Sequence, residues 1–175
     1  MQQVKSGNLE QLGLLYERYK KWLYNFFYQM NSDQSLSEDL VHNVFMRVLK
    51  YKHTYSEQHQ FVTWLFQIAR NESKSHYSRQ TKKNRSVSLD EVKERSANMQ
   101  NADQQMESNE QLGMLSRLIQ KLPREKREII VLSKIKQLKY KEIGQILGCS
   151  EEAARTRSHR ALHDLRRNYL AQQNF

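Results

Sequence analysis

Residues 140–162 have the sequence YKEIGQILGCSEEAARTRSHRAL, and this stretch decides the fold of the C-terminal part of the chain. Ile143 and Ile146 lie three residues apart, as residues on the buried face of a helix do. Gly148 suits the left-handed residue that ends a helix, and Ser150 suits the cap that begins the next one. Two short helices joined by this turn predict a helix-turn-helix, a motif whose second helix enters the major groove of DNA.

The second helix of this motif combines small and basic side chains. Ala153 and Ala154 are small enough for it to cross the first helix closely, and hydrogen-bond donors are predicted on its outer side. An arginine-rich helix alone is equally consistent with a solvated surface, but the turn and the cap beside it favour DNA binding. Arginine binds guanine through two hydrogen bonds, and residues near the N-terminus of such a helix reach base edges. The predicted donors are Arg155, Thr156, Arg157, His159 and Arg160.

The chain of 175 residues is strongly basic, with 29 Lys and Arg against 19 Asp and Glu and a net charge of +10. This charge favours a polyanionic partner such as nucleic acid, because basic side chains displace the counterions condensed on it. No apolar run approaches the roughly 18 residues that span a bilayer, and the N-terminus lacks the apolar stretch of a signal peptide. We therefore expect a cytoplasmic protein without stable membrane insertion.

Metal and enzyme chemistry receive little support from the sequence. Cys149 is the single cysteine, so no internal disulfide is expected, and no metal or other cofactor is predicted. A nuclease would need histidines and carboxylates at the spacing of metal ligands. The available histidines, which are scattered along the first half of the chain and lack that spacing, are His42, His53, His59 and His76.

The N-terminal part of the chain is predicted to contain three helices. One proline and five glycines leave long uninterrupted segments whose apolar periodicity is helical. The first helix is expected at about 9–30, the second begins at a cap at Ser37, and the third is expected at about 60–78. Trp64 of the third helix is expected to pack inward beneath the loop that precedes this helix. The first helix carries a wide apolar stripe formed by Leu12, Leu15, Tyr16, Tyr19, Trp22, Leu23, Phe26 and Phe27.

These patterns predict an all-α protein of two small helical domains joined by a flexible linker. Residues 1–79 form the first predicted domain and residues 111–175 the second, which holds the helix-turn-helix. Between them, residues 80–110 are rich in Asn, Gln, Ser, Lys and Glu and hold few apolar side chains, as expected of a segment that cannot bury a core.

Three stretches of the chain resemble a known family. SEDLVHNVFMRVLKY at 37–51 and FVTWLFQIARNESKSHYSR at 61–79 resemble the second conserved region of bacterial sigma factors. LPREKREIIVLSKIKQLKYKEIGQILGCSEEAARTRSHRALHDLRR at 122–167 resembles their fourth region, and the lack of a third-region domain matches the extracytoplasmic-function group. The resemblance implies a non-catalytic subunit that binds core RNA polymerase and directs promoter-specific initiation by recognising and opening promoter DNA.

The resemblance also implies where each partner binds. The second predicted helix would bind the clamp of the largest polymerase subunit, and the second domain would bind the flap of the second-largest subunit. His42 and Asn43 stand where the family often has Gln-Glu, which removes an acid from the clamp contact. The implied polymerase-binding residues are Asp39, Leu40, His42, Asn43, Met46 and Arg47.

Promoter DNA would be bound at two places. The third helix and the loop before it would open the minus-ten element, with Asn71 at the position that contacts a flipped base and Tyr55 stacking on an unpaired base. The helix-turn-helix donors, Arg155 to Arg160, would read the minus-thirty-five element. The implied minus-ten residues are Tyr55, Arg70, Asn71, Lys74 and Arg79.

One alternative remains open at this point. A helix-turn-helix regulator that is not a polymerase subunit would explain the basic charge and the second domain, since many unrelated regulators share the motif. That alternative gives no reason for the segment from Ser37 to Arg79. An anti-sigma factor or another recruiting DNA-targeting protein is a further partner that the resemblance allows.

Overall fold

The computed structural model describes residues 1–58, 60–86 and 106–173, and it describes side chains in these ranges except for 82–86, 106–112 and 173. The described residues form helices and turns without any β-strand, which confirms the predicted all-α class. They fall into two compact units. The first unit holds Met1–Phe27 and residues 33–86, and the second holds Tyr28–Ser32 and residues 106–173.

The first unit begins with a short helix that the sequence did not predict, α1 (Gln2–Lys5). Two long helices follow, α2 (Glu10–Asn31), whose last residues from Tyr28 belong to the second unit, and α3 (Gln34–Lys50). A single 3-10 turn, Lys52–Thr54, leads towards the last and longest helix of the unit, α4 (Phe61–Ser86). The predicted order of helices in this part of the chain is thus confirmed.

The core of the first unit is aromatic and aliphatic. Leu23, Phe26 and Phe27 of α2 are fully buried, as the apolar stripe predicted. Phe26 packs edge-on against Phe66 of α4, with 5.4 Å between the ring centroids. Trp22 departs from the stripe, because 41% of its surface stays exposed. The stripe is therefore narrower than the sequence suggested.

The start of α3 differs from the prediction. Asp33, not Ser37, caps this helix, and its carboxylate accepts a hydrogen bond from the backbone N–H of Leu36 at 2.9 Å. Ser37 lies inside the first turn, where it is buried and its hydroxyl donates to the backbone carbonyl of Asp33 at 2.5 Å. Both residue types favour caps, and the structure uses the earlier one, because Ser37 is buried within the helix.

Helix α4 continues beyond the predicted end near residue 78 and reaches Ser86. Neither glycine nor proline occurs in this stretch, so the backbone continues its helical hydrogen bonding although the apolar pattern has stopped. The helix therefore runs into the segment assigned to the linker. Most of that linker, residues 87–105, lies outside the described residues, as does His59.

The second unit is built from four helices. Helix α5 (Met106–Lys121) is followed by α6 (Arg124–Ile130), which starts directly after Pro123 and widens into a π-turn at Val131–Ile135. The last two helices are α7 (Tyr140–Leu147) and α8 (Glu151–Gln173). Their core is aliphatic. Its fully buried large side chains are Leu118, Ile129, Ile130, Leu132 and Ile143.

Within the described ranges, none of the helices has the length and apolar character that crossing a membrane requires.

Candidate nucleic-acid and partner interfaces

The turn between α7 and α8 has the predicted helix-turn-helix geometry. Gly148 takes the left-handed conformation, with φ of 71°, and the N–H of Cys149 donates to the carbonyl of Gly144 at 2.9 Å. Ser150 caps α8 by accepting a hydrogen bond from the N–H of Ala153 at 3.1 Å. A Cβ atom on Gly144 would lie 2.7 Å from the carbonyl oxygen of Cys149, so this position needs glycine for the close approach.

Helix α8 buries one narrow side and exposes the rest. Ala154, Ser158 and Ala161 are fully buried, and their small side chains let α8 cross α6 and α7 closely. The hydroxyls of Ser158 and Ser133 lie 3.1 Å apart, so the buried serine is hydrogen-bonded. All five predicted minus-thirty-five residues lie on the outer side and are exposed, namely Arg155, Thr156, Arg157, His159 and Arg160.

Arg155 differs from the other donors of α8 because neighbouring side chains already engage it. Its guanidinium lies 5.7 Å from the centre of the Tyr140 ring and 3.4 Å from the carboxylate of Glu151. These contacts orient the guanidinium beside the helix N-terminus and partly neutralise it. Farther along α8, Asp164 accepts a hydrogen bond at 2.5 Å from the ammonium group of Lys126, which lies on α6. This bond lowers the pKa of the Asp164 carboxyl.

Four of the six predicted polymerase-binding residues form one exposed stripe on α3. Asp39 and Met46 lie three or four residues from both His42 and Asn43, so the four share one side of the helix, and all are exposed, with 55% of the Met46 surface open to solvent. An apolar side chain among polar ones is typical of a protein interface. Leu40 was wrongly included in this set, because it is 1% exposed and belongs to the core.

Arg47, the sixth predicted residue, turns towards α4 and forms an ion pair with Glu72. Glu72 is only 3% exposed, so the ion pair places a charge in the interior of the first unit. Oxygen Oε2 of Glu72 approaches the guanidinium but accepts no aligned hydrogen bond from the described residues. The pair therefore joins the two helices through charge proximity, and sequence reasoning missed it.

The predicted minus-ten residues of α4 lie at its exposed side. Asn71, Lys74 and Arg79 are exposed, whereas Arg70 is half-buried. Asn71 directly precedes the buried Glu72, so the ion pair with α3 anchors the turn of α4 that carries the exposed amide. Among the described residues, one amide and two cations are thus exposed on this side of α4.

Tyr55 lies in the segment before α4 and is packed among other aromatic rings. Its ring centroid is 5.4 Å from that of Trp64 and 6.0 Å from that of Phe61, and both pairs meet edge to face. Phe61 in turn contacts Tyr19 of α2 at 5.3 Å. Burial, and to a smaller extent the charge of Glu57, raises the pKa of the Tyr55 hydroxyl. Trp64 thus packs beneath the loop, as predicted.

In the part of the chain that the structure describes, no three His, Cys, Asp or Glu side chains come together as metal ligands would.

Together these features define a class: a two-unit helical protein with a DNA-binding helix-turn-helix and a separate helical unit that carries an exposed interface. Comparison with known proteins then identifies the family. Residues 15–83 match the family model for Sigma-70 region 2, and residues 112–165 match that for Sigma-70, region 4.

The chain is also similar to individual sigma factors. It is 34% identical to the ECF RNA polymerase sigma factor SigM of Bacillus subtilis over 157 residues, which cover 89% of this chain and 93% of SigM. Identity to the RNA polymerase sigma factor CarQ of Myxococcus xanthus is 28%, over 95% of this chain and 93% of CarQ. The chain therefore belongs to the extracytoplasmic-function group of the sigma-70 family, whose members direct RNA polymerase to promoters.

Two solved structures share the fold. The structure of CnrH in complex with the cytosolic domain of CnrY matches with a TM-score of 0.73 and 23% identity, over 97% of this chain and 94% of CnrH. The sigma factor RpoE in complex with the anti-sigma factor NepR, from Bartonella quintana, matches with a TM-score of 0.66 and 23% identity, over 91% of this chain and 95% of RpoE.

Proposed function

We propose a division of labour between the two units of this sigma factor: the first unit docks on core polymerase and opens the minus-ten element, and the second reads the minus-thirty-five element. The domain limits proposed for these tasks are 1–79 and 111–175, with 80–110 as the linker. The observation that carries the proposal is the exposed stripe on α3, Asp39 to Met46, which a DNA-binding regulator that does not bind polymerase would not need.

Polymerase docking is assigned to Asp39, His42, Asn43 and Met46, against the clamp of the largest subunit. Met46→Glu places a charge in the apolar part of the stripe and is expected to weaken binding to core polymerase at least about ten-fold, since desolvating an unpaired charge is costly. Leu14→Glu is the matched control, because Leu14 is an exposed leucine on α2 of the same unit. Equal binding by the Met46→Glu variant and the unmodified protein would refute the assignment.

Minus-ten recognition is assigned to Asn71, supported by Lys74, Arg79 and the half-buried Arg70, with Tyr55 next to the unpaired bases. Asn71→Ala removes the amide and is expected to reduce initiation about ten-fold without affecting polymerase binding. Asn25→Ala, on the exposed side of α2, is the control. If both asparagine variants initiate equally well, Asn71 does not contact the promoter.

Minus-thirty-five recognition is assigned to Arg155, Thr156, Arg157, His159 and Arg160. A bidentate contact to guanine contributes about 1–3 kcal/mol of base discrimination, so Arg157→Ala is expected to lower discrimination by roughly ten-fold or more. Arg166→Ala removes the same charge from an exposed position farther along α8 and tests for a general charge effect. Similar losses in the two variants would mean that Arg157 contributes charge alone.

Sequencing the 5′ ends of transcripts made by core polymerase with and without the protein tests the whole proposal. Promoters that depend on the protein should share elements at minus ten and minus thirty-five. Because promoter DNA and polymerase are its partners, we place the protein in the cytoplasm and assign it no catalytic activity of its own. The complex of RpoE with the anti-sigma factor NepR supports a third partner, an anti-sigma factor, which copurification from the native host would reveal.

A further inference from the structure

The short helix α1 contacts the segment that precedes α4. Residues 51–58, here called the opening segment, connect α3 to the approach of α4 and carry Tyr55. The ammonium group of Lys5 donates a hydrogen bond to the backbone carbonyl of Tyr55 at 2.5 Å and lies 5.9 Å from the centre of the Tyr55 ring. Gln2 donates a second hydrogen bond to the carboxylate of Glu57. Two side chains of α1 thus hold two positions of this segment.

The remaining contacts of α1 explain why this short helix is in place. Val4 is fully buried, so a single apolar side chain anchors the helix to the body of the first unit. A helix of four residues is not stable alone, and its order depends on such packing. Met1, Gln2 and Gln3 line an open cavity together with Tyr55 and Glu57. The helix therefore borders the surface that Tyr55 presents.

Tyr55 is also held by aromatic rings. Trp64 and Phe61 each pack edge to face with the Tyr55 ring, and both belong to α4. Among the described residues, the N–H groups of Thr54 and Tyr55 donate to the carbonyls of Tyr51 and Lys52 at 2.9 and 3.4 Å. Lys5 acts on the main chain of the segment, at the carbonyl of Tyr55.

We propose that α1 is a positioning element of promoter opening and that Lys5 is its positioning residue. The inference rests on the proposed minus-ten role of the first unit. Lys5 fixes the main chain at Tyr55, so that the tyrosine and the nearby exposed side of α4 are preorganised for an unpaired strand. Preorganisation matters because ordering a loop during binding would consume part of the binding free energy.

Lys5→Met in the full chain is the decisive variant, because it keeps the apolar stem and removes the charged donor. Hydrogen exchange of the Thr54 and Tyr55 amides in the free protein is expected to accelerate about five-fold or more. The reason is that losing a hydrogen bond from a charged group should favour local opening of the segment by at least that factor. Lys5→Arg keeps a donor and should restore slow exchange. Lys20→Met is the matched control, because Lys20 bonds only within α2, to Glu17 at 2.7 Å.

Initiation on two templates then separates positioning from simple charge. On duplex promoter, initiation by Lys5→Met should be about five- to ten-fold lower than initiation by the unmodified protein. On the same promoter, pre-melted across the minus-ten element, the loss should be smaller than about two-fold. Binding to core polymerase should not change. Unaltered exchange would overturn the inference. Equal losses on both templates, with a weaker salt dependence, would also overturn it and make Lys5 a phosphate contact.

These results are distinguishable from a failure of the proposed function. If the unmodified protein supports no promoter-specific transcript, the proposed function fails, and with it the role of α1 in promoter opening. If the unmodified protein initiates normally and Lys5→Met does so equally well on duplex DNA, the sigma function stands and the positioning role is refuted.

Discussion

Arg47→Met is expected to destabilise the first unit more than Glu72→Gln does, although both substitutions break the same ion pair. The two partners differ in their access to water: the Arg47 side chain is 32% exposed and the Glu72 side chain 4%. Removing the guanidinium leaves a carboxylate buried without its cation. Removing the carboxylate leaves a guanidinium that water can still reach.

The magnitudes follow from this asymmetry. Breaking a buried pair by removing one partner costs about 3–5 kcal/mol, and the partial exposure of Arg47 moves the expected cost of Arg47→Met to about 2–3 kcal/mol. Glu72→Gln fills nearly the same volume and leaves the cation solvated, so about 1 kcal/mol is expected. The double variant carries no buried charge and should be more stable than Arg47→Met alone.

Urea unfolding followed by tryptophan fluorescence measures these differences. Trp22 and Trp64, the two tryptophans of the chain, both lie in the first unit, so their emission reports on that unit. With a slope of about 1 kcal/mol per M for a small unit, the two single variants should differ by about 1–2 M in midpoint. Equal midpoints, or a double variant that loses the sum of both single effects, would refute the reasoning.

Four further stability predictions concern the second unit. Gly144→Val should lower the free energy of unfolding of this unit by more than about 2 kcal/mol, because the Cβ would press on Cys149. Gly113→Ala should raise it by up to about 1 kcal/mol, because the space around Gly113 is open. Hydrogen exchange of the α7 amides measures the first effect, and exchange of the α5 amides measures the second. Burial lowers the pKa of Lys136 to about 8, so the unfolded state binds more protons between pH 8 and 10, and stability should rise there. Lys136→Met should abolish the contribution of this lysine to the rise in unfolding free energy between pH 8 and 10. If the variant and the unmodified protein show the same dependence of unfolding free energy on pH, the prediction is contradicted. Gln137 has a left-handed φ of 54°, a backbone conformation that is strained for a residue with a side chain. Gln137→Gly should therefore stabilise the unit by about 0.5–1 kcal/mol in thermal unfolding. A lower stability of this variant would contradict the presence of backbone strain at Gln137.

The helix-turn-helix was predictable because local residues determine it. Gly148 and Ser150 act on backbone groups within a few residues, and the structure places both as the sequence indicated. The cap of α3 was harder, since Asp33 and Ser37 are both suitable and only packing decides between them. Ser37 became buried instead, which local preference does not reveal.

Longer-range features were not predictable from the sequence. Helix α1 has one apolar residue, Val4, and so produces no periodic pattern. The ion pair between Arg47 and Glu72 depends on how α3 and α4 pack, and a family motif does not distinguish an outward arginine from an inward one. Leu40 was assigned to the polymerase contact on the same kind of motif, although it is 1% exposed and belongs to the core.

Transcription by core polymerase on two versions of one protein-dependent promoter, intact and with a scrambled minus-thirty-five element, tests the division of labour most directly. Initiation by Asn71→Ala should fall by the same factor on both templates, because Asn71 is assigned to the minus-ten element alone. Arg157→Ala should reduce initiation on the intact template by roughly ten-fold, towards the level of the scrambled one, and leave the scrambled template unaffected. Equal losses for Arg157→Ala on both templates would contradict a promoter-reading role for the second unit.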